Sequence, residues 1–148
     1  MRKTLLALCF VLPAGMVAAQ SPEDAVKARQ GYFDLLGAQM AVLAPMAQGK
    51  MDFDAAKAKV AADNLAALAK VDVSPLFVPG TSTDDLGDAT RALPAIWEKG
   101  DDFMAKATAM HEAAAAMPEA AGSLETLQVA VGQLGGSCKG CHDNFRAK

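Results

Sequence analysis

The stretch Ser123–Arg146, SLETLQVAVGQLGGSCKGCHDNFR, decides the fold. Its apolar residues recur every three or four positions without a break, which is the period of one face of an α-helix. These residues are Leu124, Leu127, Val131, Leu134, Cys138, Cys141 and Phe145. Because a continuous apolar face needs a partner, the pattern predicts a bundle helix that carries both cysteines on its buried side.

Residues 138–142 of this helix form the pattern Cys-x-x-Cys-His. In an exported protein the pattern is typical of covalent haem attachment, since two thiols three residues apart can add to the two vinyl groups of one porphyrin. Positions i and i+3 share a helix face, so both sulfurs meet one edge of the macrocycle. The next residue, His142, then supplies an imidazole to the iron. We therefore predict one haem c per chain, held by Cys138 and Cys141.

Three other roles for the cysteines compete with haem attachment. A structural zinc site needs four nitrogen or sulfur ligands, and His142 and the distant His111 would have to complete it. A thioredoxin-like dithiol needs a βαβ context, which the sequence lacks. A disulfide between Cys138 and Cys141 is disfavoured, since helical cysteines at i and i+3 are badly placed for relaxed S–S geometry. Haem attachment is the favoured interpretation.

The first 19 residues have the features of a cleavable signal peptide. A basic start at Arg2 and Lys3 precedes an apolar segment, residues 5–17, and the small residues 17–19 form a cleavage site. The apolar segment is too short to remain as a membrane-spanning helix. We predict export to the periplasm, with residues 20–148 as a single mature domain and no membrane anchor.

The charge balance narrows the class of partner. The chain has 14 basic and 17 acidic residues, and loss of Arg2 and Lys3 leaves 12 against 17, a net charge of −5. Nucleic acids and anionic membranes both attract clustered lysine and arginine, so this balance argues against them. The sequence contains no catalytic triad, phosphate loop or paired carboxylates that would indicate an enzyme.

Helical patterns cover most of the predicted mature domain. Ser21, Pro22 and the acidic residues after them predict the start of a helix, and Gly49 predicts its end. The four predicted helices span Pro22 to about Gln48, about Asp54 to Val71 with Asp52 or Asp54 as cap, Pro94 to Met117, and Ser123 onward. The expected fold is an all-α antiparallel four-helix bundle, with a long crossover, Asp72 to about Ala92, between helices 2 and 3.

These residues resemble the cytochrome c′ family of four-helix-bundle haem proteins, over essentially the whole predicted mature chain. The resemblance rests on residues 22–30 at the start, Pro79-Gly80-Thr81 in the crossover, Pro94 to Trp97, and the closing residues 138–146. The haem motif alone is general to c-type cytochromes. Its position at the C-terminus of a four-helix chain is what narrows the family.

The resemblance implies a periplasmic homodimer whose iron has one protein ligand and an apolar opposite face. It also implies binding of nitric oxide or carbon monoxide and electron exchange with a redox partner that the sequence does not identify. Haem contacts carried over by resemblance are Arg29 and Gln30 at the haem edge or propionates, Phe33 in the distal site, Asp88 from the crossover, and Arg146 beside His142.

The ligand at the sixth coordination position of the iron distinguishes two possible functions. Residues one turn around Phe33 offer no ligand, and Met40 lies about 10 Å further along the helix. We therefore predict a five-coordinate, high-spin iron and interpret five methionines as core residues. They are Met40, Met46, Met104, Met110 and Met117. The alternative is a low-spin, six-coordinate electron carrier, and a third, weaker interpretation is a haem-free helical interaction module.

Several residues have simpler expectations. His111 is expected at the surface of the third helix. Tyr32 and Trp97 are expected near the haem or a dimer contact, which the sequence does not separate. Small apolar residues of the first two helices, Ala38, Ala41, Ala55 and Ala58, suit either a subunit contact or the bundle interior.

Overall fold

A computed structural model describes residues 21–148 and shows an all-helical protein. The predicted signal peptide lies outside these residues. The helices are α1 (Pro22–Ala47), α2 (Ala55–Leu68), α3 (Thr83–Leu86), α4 (Ala95–Glu98), α5 (Gly100–Ala115), α6 (Met117–Ala120) and α7 (Leu124–Phe145). Within residues 21–148, no helix is both long and apolar enough to cross a membrane.

Local sequence signals set both ends of α1. The Ser21 hydroxyl accepts a hydrogen bond from the Asp24 amide at 3.1 Å, and Pro22 occupies a first-turn position where no amide partner is needed. The helix ends at Ala47, one residue before the predicted end. Gly49 then takes a φ of +68°, a conformation that side chains other than glycine rarely adopt.

The second helix is shorter than predicted. The Asp54 carboxylate caps it by accepting from the amides of residues 56 and 57, both at 3.1 Å. It ends at Leu68 rather than Val71. The Val71 amide donates to the Leu68 carbonyl three residues back, so the chain tightens into a turn instead of continuing the α-helix.

The crossover between α2 and α4 contains more structure than predicted. It includes two 3₁₀ turns, Ser74–Leu76 and Gly87–Ala89, as well as α3. Ser82 and Asp85 form a reciprocal capping box at the start of α3. The Thr83 amide donates to the Ala92 carbonyl at 2.8 Å, which closes the segment into a compact loop.

The predicted third helix is divided into three pieces. Lys99 departs from helical geometry, with φ −123° and ψ 49°, and separates α4 from α5. Pro118 lacks the amide that would extend α5, so that helix stops before it. The proline instead occupies the first turn of the short helix α6, which begins at Met117. The prediction of one continuous helix from Pro94 to Met117 was wrong, because an unbroken apolar period does not reveal a local change of backbone geometry.

The long helices pack as a ring in which α1 contacts α2, α2 contacts α5, α5 contacts α7, and α7 contacts α1. Gln128 near the start of α7 donates to the carbonyl of Ala47 at the end of α1, as antiparallel neighbours require. The predicted all-α four-helix bundle is confirmed. Its core contains fully buried side chains from α1, α2 and α7, including Leu43, Leu65 and Leu134.

One methionine that was predicted to fill the core and one residue of the predicted apolar face of α7 are exposed. Met104 is 52% exposed and Leu124 is 38% exposed. Met104 follows Phe103, which packs on a small cluster formed by Ala92, Ile96 and Phe145, and lies about 100° further around the helix. Leu124 is the first residue of α7. The prediction that Met104 fills the core was wrong, whereas Met46, Met110 and Met117 are buried and Met40 packs against the core from a partly buried position.

Candidate haem site

The two cysteines lie on one face of the last turns of α7, and each contacts a different hydrophobic cluster. Cys138 packs against the main bundle core. Cys141 packs against a smaller cluster built on Ala92, Ile96 and Phe145. Both side chains are partly buried, and neither forms a disulfide in the described part of the chain. The helix therefore presents two sulfurs side by side at the boundary between the two clusters.

Burial raises the pKa of both thiols above the ordinary cysteine value. A reactive redox dithiol has the opposite property, because its attacking cysteine needs a lowered pKa. The electrostatics of this pair thus argue against the thioredoxin-like alternative.

His142 is partly buried near the end of α7. Burial lowers its pKa, the charges of Arg146 and Arg91 lower it further, and Asp143 opposes them. A histidine with a lowered pKa is neutral at pH 7, and a neutral imidazole has a lone pair available for a metal.

Arg146 lies beside His142, with 3.2 Å between its terminal nitrogen and His142 Nδ1. An arginine can only donate, so this contact is a hydrogen bond when Nδ1 is unprotonated. Arg146 also follows the last helical residue and takes an extended conformation, with φ −126° and ψ 130°. Arg91, His142 and Arg146 line a shallow cleft of about 170 Å³ together with Asp143, Ala147 and Lys148.

Arg29 is 4% exposed and is surrounded by neutral oxygen acceptors. It donates to Leu76 O, to Thr81 Oγ1 and O, and to Thr90 Oγ1, at 2.9–3.3 Å. Its guanidinium also lies 5.1 Å from the ring centroid of Phe77. No carboxylate forms an ion pair with it among residues 21–148. Arg29 therefore fastens α1 to the crossover while retaining an uncompensated positive charge.

Gln30 and Asp88 meet at the same turn. The Gln30 side chain donates to the Ala89 carbonyl at 3.1 Å, and Asp88 is the exposed residue before Ala89. Gln30 thus holds the 3₁₀ turn Gly87–Ala89 against α1.

Phe33 lies on α1 and is 38% exposed. Its ring packs edge-to-face on Tyr32, with 5.4 Å between centroids. These contacts do not place it relative to the cysteines, so its position over the iron stays a prediction.

His111 is partly buried and has a polar neighbour. Its Nε2 lies 3.4 Å from the hydroxyl of buried Tyr32, which also donates to the Leu68 carbonyl at 3.3 Å. His111 is partly exposed, so it lies at the surface as expected, but the bundle geometry also places a tyrosine of α1 opposite it. The ring nitrogen of Trp97 donates a hydrogen bond to the Phe77 carbonyl at 3.0 Å.

Sequence reasoning missed two residues near the site, Phe77 and Arg91. Phe77 stacks edge-to-face on Phe103, which stacks in turn on Phe145, so three rings connect the crossover to the end of α7. Arg91 donates from its side chain to the Ala147 carbonyl. An aromatic residue between two prolines, Pro75 and Pro79, within a long loop is a weak signal that could have identified Phe77.

Residues 24–146 match the family described as Cytochrome C'. A cytochrome c′ of Cereibacter sphaeroides is 49% identical over 150 residues, which cover 100% of this chain and 99% of the relative. A cytochrome c-554 of the same species is 42% identical over 147 residues, which cover 97% of this chain and 95% of the relative.

Solved structures of cytochromes c′ have the same fold as this chain. A cytochrome c′ from Rhodobacter sphaeroides superimposes with a TM-score of 0.83 at 49% identity, over 86% of this chain and 98% of the other. A cytochrome c′ with an unusual ligand-controlled dimer dissociation gives a TM-score of 0.80 at 31% identity, over 88% and 100%. A carbon monoxide-bound variant from Alcaligenes xylosoxidans gives 0.74 at 34% identity, over 86% and 98%.

Proposed function

The chain belongs to the cytochrome c′ family, and from that premise we propose that it is a periplasmic haem protein with a five-coordinate, high-spin iron that binds small diatomic gases. The family binds haem c covalently through cysteines, and Cys138 and Cys141 have the required spacing. When bound, haem c supplies an iron that exchanges one electron and binds nitric oxide or carbon monoxide. Members of the family generally serve as carriers or gas binders, and we propose no catalytic step.

The proposal rests on the arrangement of the two cysteines and the histidine at the end of α7. Two partly buried thiols lie at i and i+3, and a histidine whose pKa is lowered by burial follows the second. Cys138 and Cys141 would hold the porphyrin edge, and His142 would be the axial ligand. Because each sulfur contacts a different hydrophobic cluster, a porphyrin attached there is expected to bury apolar surface against both.

The surroundings of Arg29 provide a second argument that the residues present suit a haem. A buried charge without an ion-pair partner is costly unless an anion approaches it. Arg29 has only neutral acceptors among the described residues, and haem carries two carboxylate groups. We infer that Arg29 and the neighbouring Gln30 face the haem edge, with Asp88 at the same turn.

The absence of a sixth protein ligand is supported by where the methionines lie. Met46, Met110 and Met117 are buried in the main core, and Met40 packs against it. Phe33, partly exposed on α1, would then cover the open face of the iron. An aromatic ring offers no hydrogen-bond donor to bound dioxygen, which favours ligands that bind ferrous iron without one. A variant of the relative from Alcaligenes xylosoxidans binds carbon monoxide, which supports gas binding by a protein of this family.

Carbon monoxide binding tests the proposal. The reduced wild-type protein should show a broad high-spin spectrum and bind carbon monoxide readily. Phe33→Ala should accelerate carbon monoxide association about tenfold by removing the covering ring. Phe53→Ala, which truncates a ring packed on the main core, serves as the control and should leave the rate unchanged. An unchanged rate in Phe33→Ala would exclude its distal role.

The low-spin carrier remains the alternative, and it has one structural argument. Met104 is exposed on α5, next to Phe103 in the small cluster that contains Cys141. If its sulfur were the sixth ligand, the wild-type protein would show sharp low-spin bands in both oxidation states. Met104→Leu would then convert the spectrum to high-spin, and under our proposal it changes nothing.

We also propose that the protein forms a homodimer through α1 and α2. Leu35 and Val60 on these helices are 53% and 62% exposed. An apolar cleft of about 390 Å³ lies between the helices, lined by Gln39, Val42, Ala56, Lys57, Val60 and Ala61. Of the small residues noted in the sequence, Ala38, Ala41 and Ala55 are exposed and Ala58 is buried. Sedimentation equilibrium should give twice the mass of the mature chain.

A further inference from the structure

We propose that Arg91 is a positioning residue for the iron's axial ligand, because it binds the chain after the haem motif and so holds Arg146 beside His142. We call the contacts between residues 91–93 and residues 145–147 the clasp. The inference rests on the proposed function, since it assigns His142 to the iron. Arg91 lies in the crossover, about fifty residues before the motif in sequence, and belongs to no pattern that marks a haem contact.

The clasp begins with backbone pairing. The Leu93 amide donates to the Phe145 carbonyl at 3.0 Å, and the Ala147 amide donates to the Arg91 carbonyl at 2.8 Å. Ala92 and Arg146 form an antiparallel β-bridge between these two bonds. Within the described range the bridge is isolated, so it joins two short segments rather than belonging to a sheet.

The Arg91 side chain closes the clasp. Its Nε and one terminal nitrogen both donate to the Ala147 carbonyl, at 3.0 and 2.7 Å. A guanidinium directs several N–H groups in a fixed plane, so two of them can converge on one oxygen without further ordering of the side chain. The crossover end is itself fixed, because Ala92 accepts from the Thr83 amide at 2.8 Å.

The clasp matters because the helix has already ended. α7 stops at Phe145, and Arg146 is extended. Residues at a chain terminus are poorly ordered unless something ties them down. The Arg146 side chain reaches His142 Nδ1 at 3.2 Å from this non-helical backbone. The pairing with residues 91–93 is what gives that backbone a defined position.

The consequence is a cleft beside the histidine that the paired segments help to line. Arg91, Arg146 and His142 line the same cleft of about 170 Å³. Loss of the clasp should free residues 146–148, and with them the group that contacts the histidine ring. The helix carrying both cysteines should remain, since its packing does not depend on Arg91.

Amide hydrogen exchange and resonance Raman spectroscopy on the haem-loaded protein test the inference. Arg91→Met removes the donors but keeps most of the apolar stem. Lys148→Met removes a cation from the same cleft without removing a clasp contact, and is the matched control for charge. We expect the Leu93 and Ala147 amides to exchange about tenfold faster in Arg91→Met, and the ferrous iron–histidine stretching band to shift or broaden. Lys148→Met should match the wild type in both.

Two results would overturn the inference: unchanged exchange and an unchanged band in Arg91→Met, or the same changes in Lys148→Met, which would assign the effect to charge. A low-spin wild-type spectrum would instead refute the proposed coordination. The exchange measurement still tests the clasp in that case, so the two failures are distinguishable.

Discussion

The molecule contains two hydrophobic clusters that differ in composition and origin. The larger lies among the long helices and is mainly aliphatic, with Leu43, Leu65 and Leu127 fully buried. The smaller comes from the crossover, α4, the start of α5 and the end of α7. It consists of Ala92, Ile96 and Phe145, with Phe77, Ala95, Trp97, Phe103 and Cys141 packed on them from partly buried positions.

The difference shows that the bundle and the site are stabilised in different ways. The larger cluster comes from helical faces that any partner helix would bury. The smaller depends on edge-to-face contacts between rings that are distant in sequence, at 4.8 and 5.3 Å between centroids. The haem motif lies between them, with Cys138 on one and Cys141 on the other. Stability should therefore depend mostly on the first cluster and haem environment on the second.

The largest expected effect is on stability and comes from the main cluster. Leu65→Ala should lower the free energy of unfolding by about 2–5 kcal/mol, because Leu65 is fully buried and its truncation leaves a cavity. Val129→Ala, at a 60% exposed position of α7, is the control and should change it by less than about 0.5 kcal/mol. Urea unfolding of the haem-loaded protein measures both. Equal losses of stability in the two variants would contradict the view that burial in the larger cluster determines stability.

A smaller effect on stability, but a larger one on the haem, is expected from Phe103→Leu. The substitution removes two ring contacts and should lower the free energy of unfolding by about 1–2 kcal/mol. Circular dichroism in the Soret region should change, since Phe103 packs in the cluster that contains Cys141. Leu65→Ala, despite its larger loss of stability, should leave the Soret signal as it is. The opposite pattern would show that the aromatic cluster does not shape the haem environment.

The smallest expected effect is on the stability of the protein at acidic pH. Hydrogen bonds from the Ser82 hydroxyl and amide lower the pKa of Asp85. A carboxylate with a lowered pKa stabilises the folded protein above its unfolded pKa of about 4, and this contribution is lost as pH falls through the folded value. Asp85→Asn should therefore reduce the loss of stability on acidification. Urea midpoints between about pH 6 and pH 3 should fall less steeply in the variant than in the wild type. Parallel pH profiles would refute this role for the capping box.

Several features were predictable from the sequence because their causes are local. Ser21 and Pro22 determine the start of α1, and Gly49 follows its end with a positive φ. The apolar period of residues 124–145 predicted a long helix with both cysteines on one face, and the structure has α7 over that range. The family, the cofactor and the four-helix bundle were also correctly inferred.

Other features were not predictable because they depend on contacts between distant residues. The periodicity around residue 100 gives no sign of the break at Lys99. His111 has a polar partner only because α1 brings Tyr32 opposite α5. Met104 was predicted to fill the core, yet it is exposed, because it lies about 100° around α5 from Phe103, which packs on the smaller cluster.

By itself, the sequence determined the helical periods, their caps, and a Cys-x-x-Cys-His motif on a helix face, because each follows from residues within a few turns of one another. Only the tertiary structure decided that Arg29 is buried among neutral oxygens, that three phenylalanines connect the crossover to α7, and that Arg91 closes over the tail. These contacts join residues about 30 to 60 positions apart, and nothing in a local pattern specifies which distant partner packing will supply.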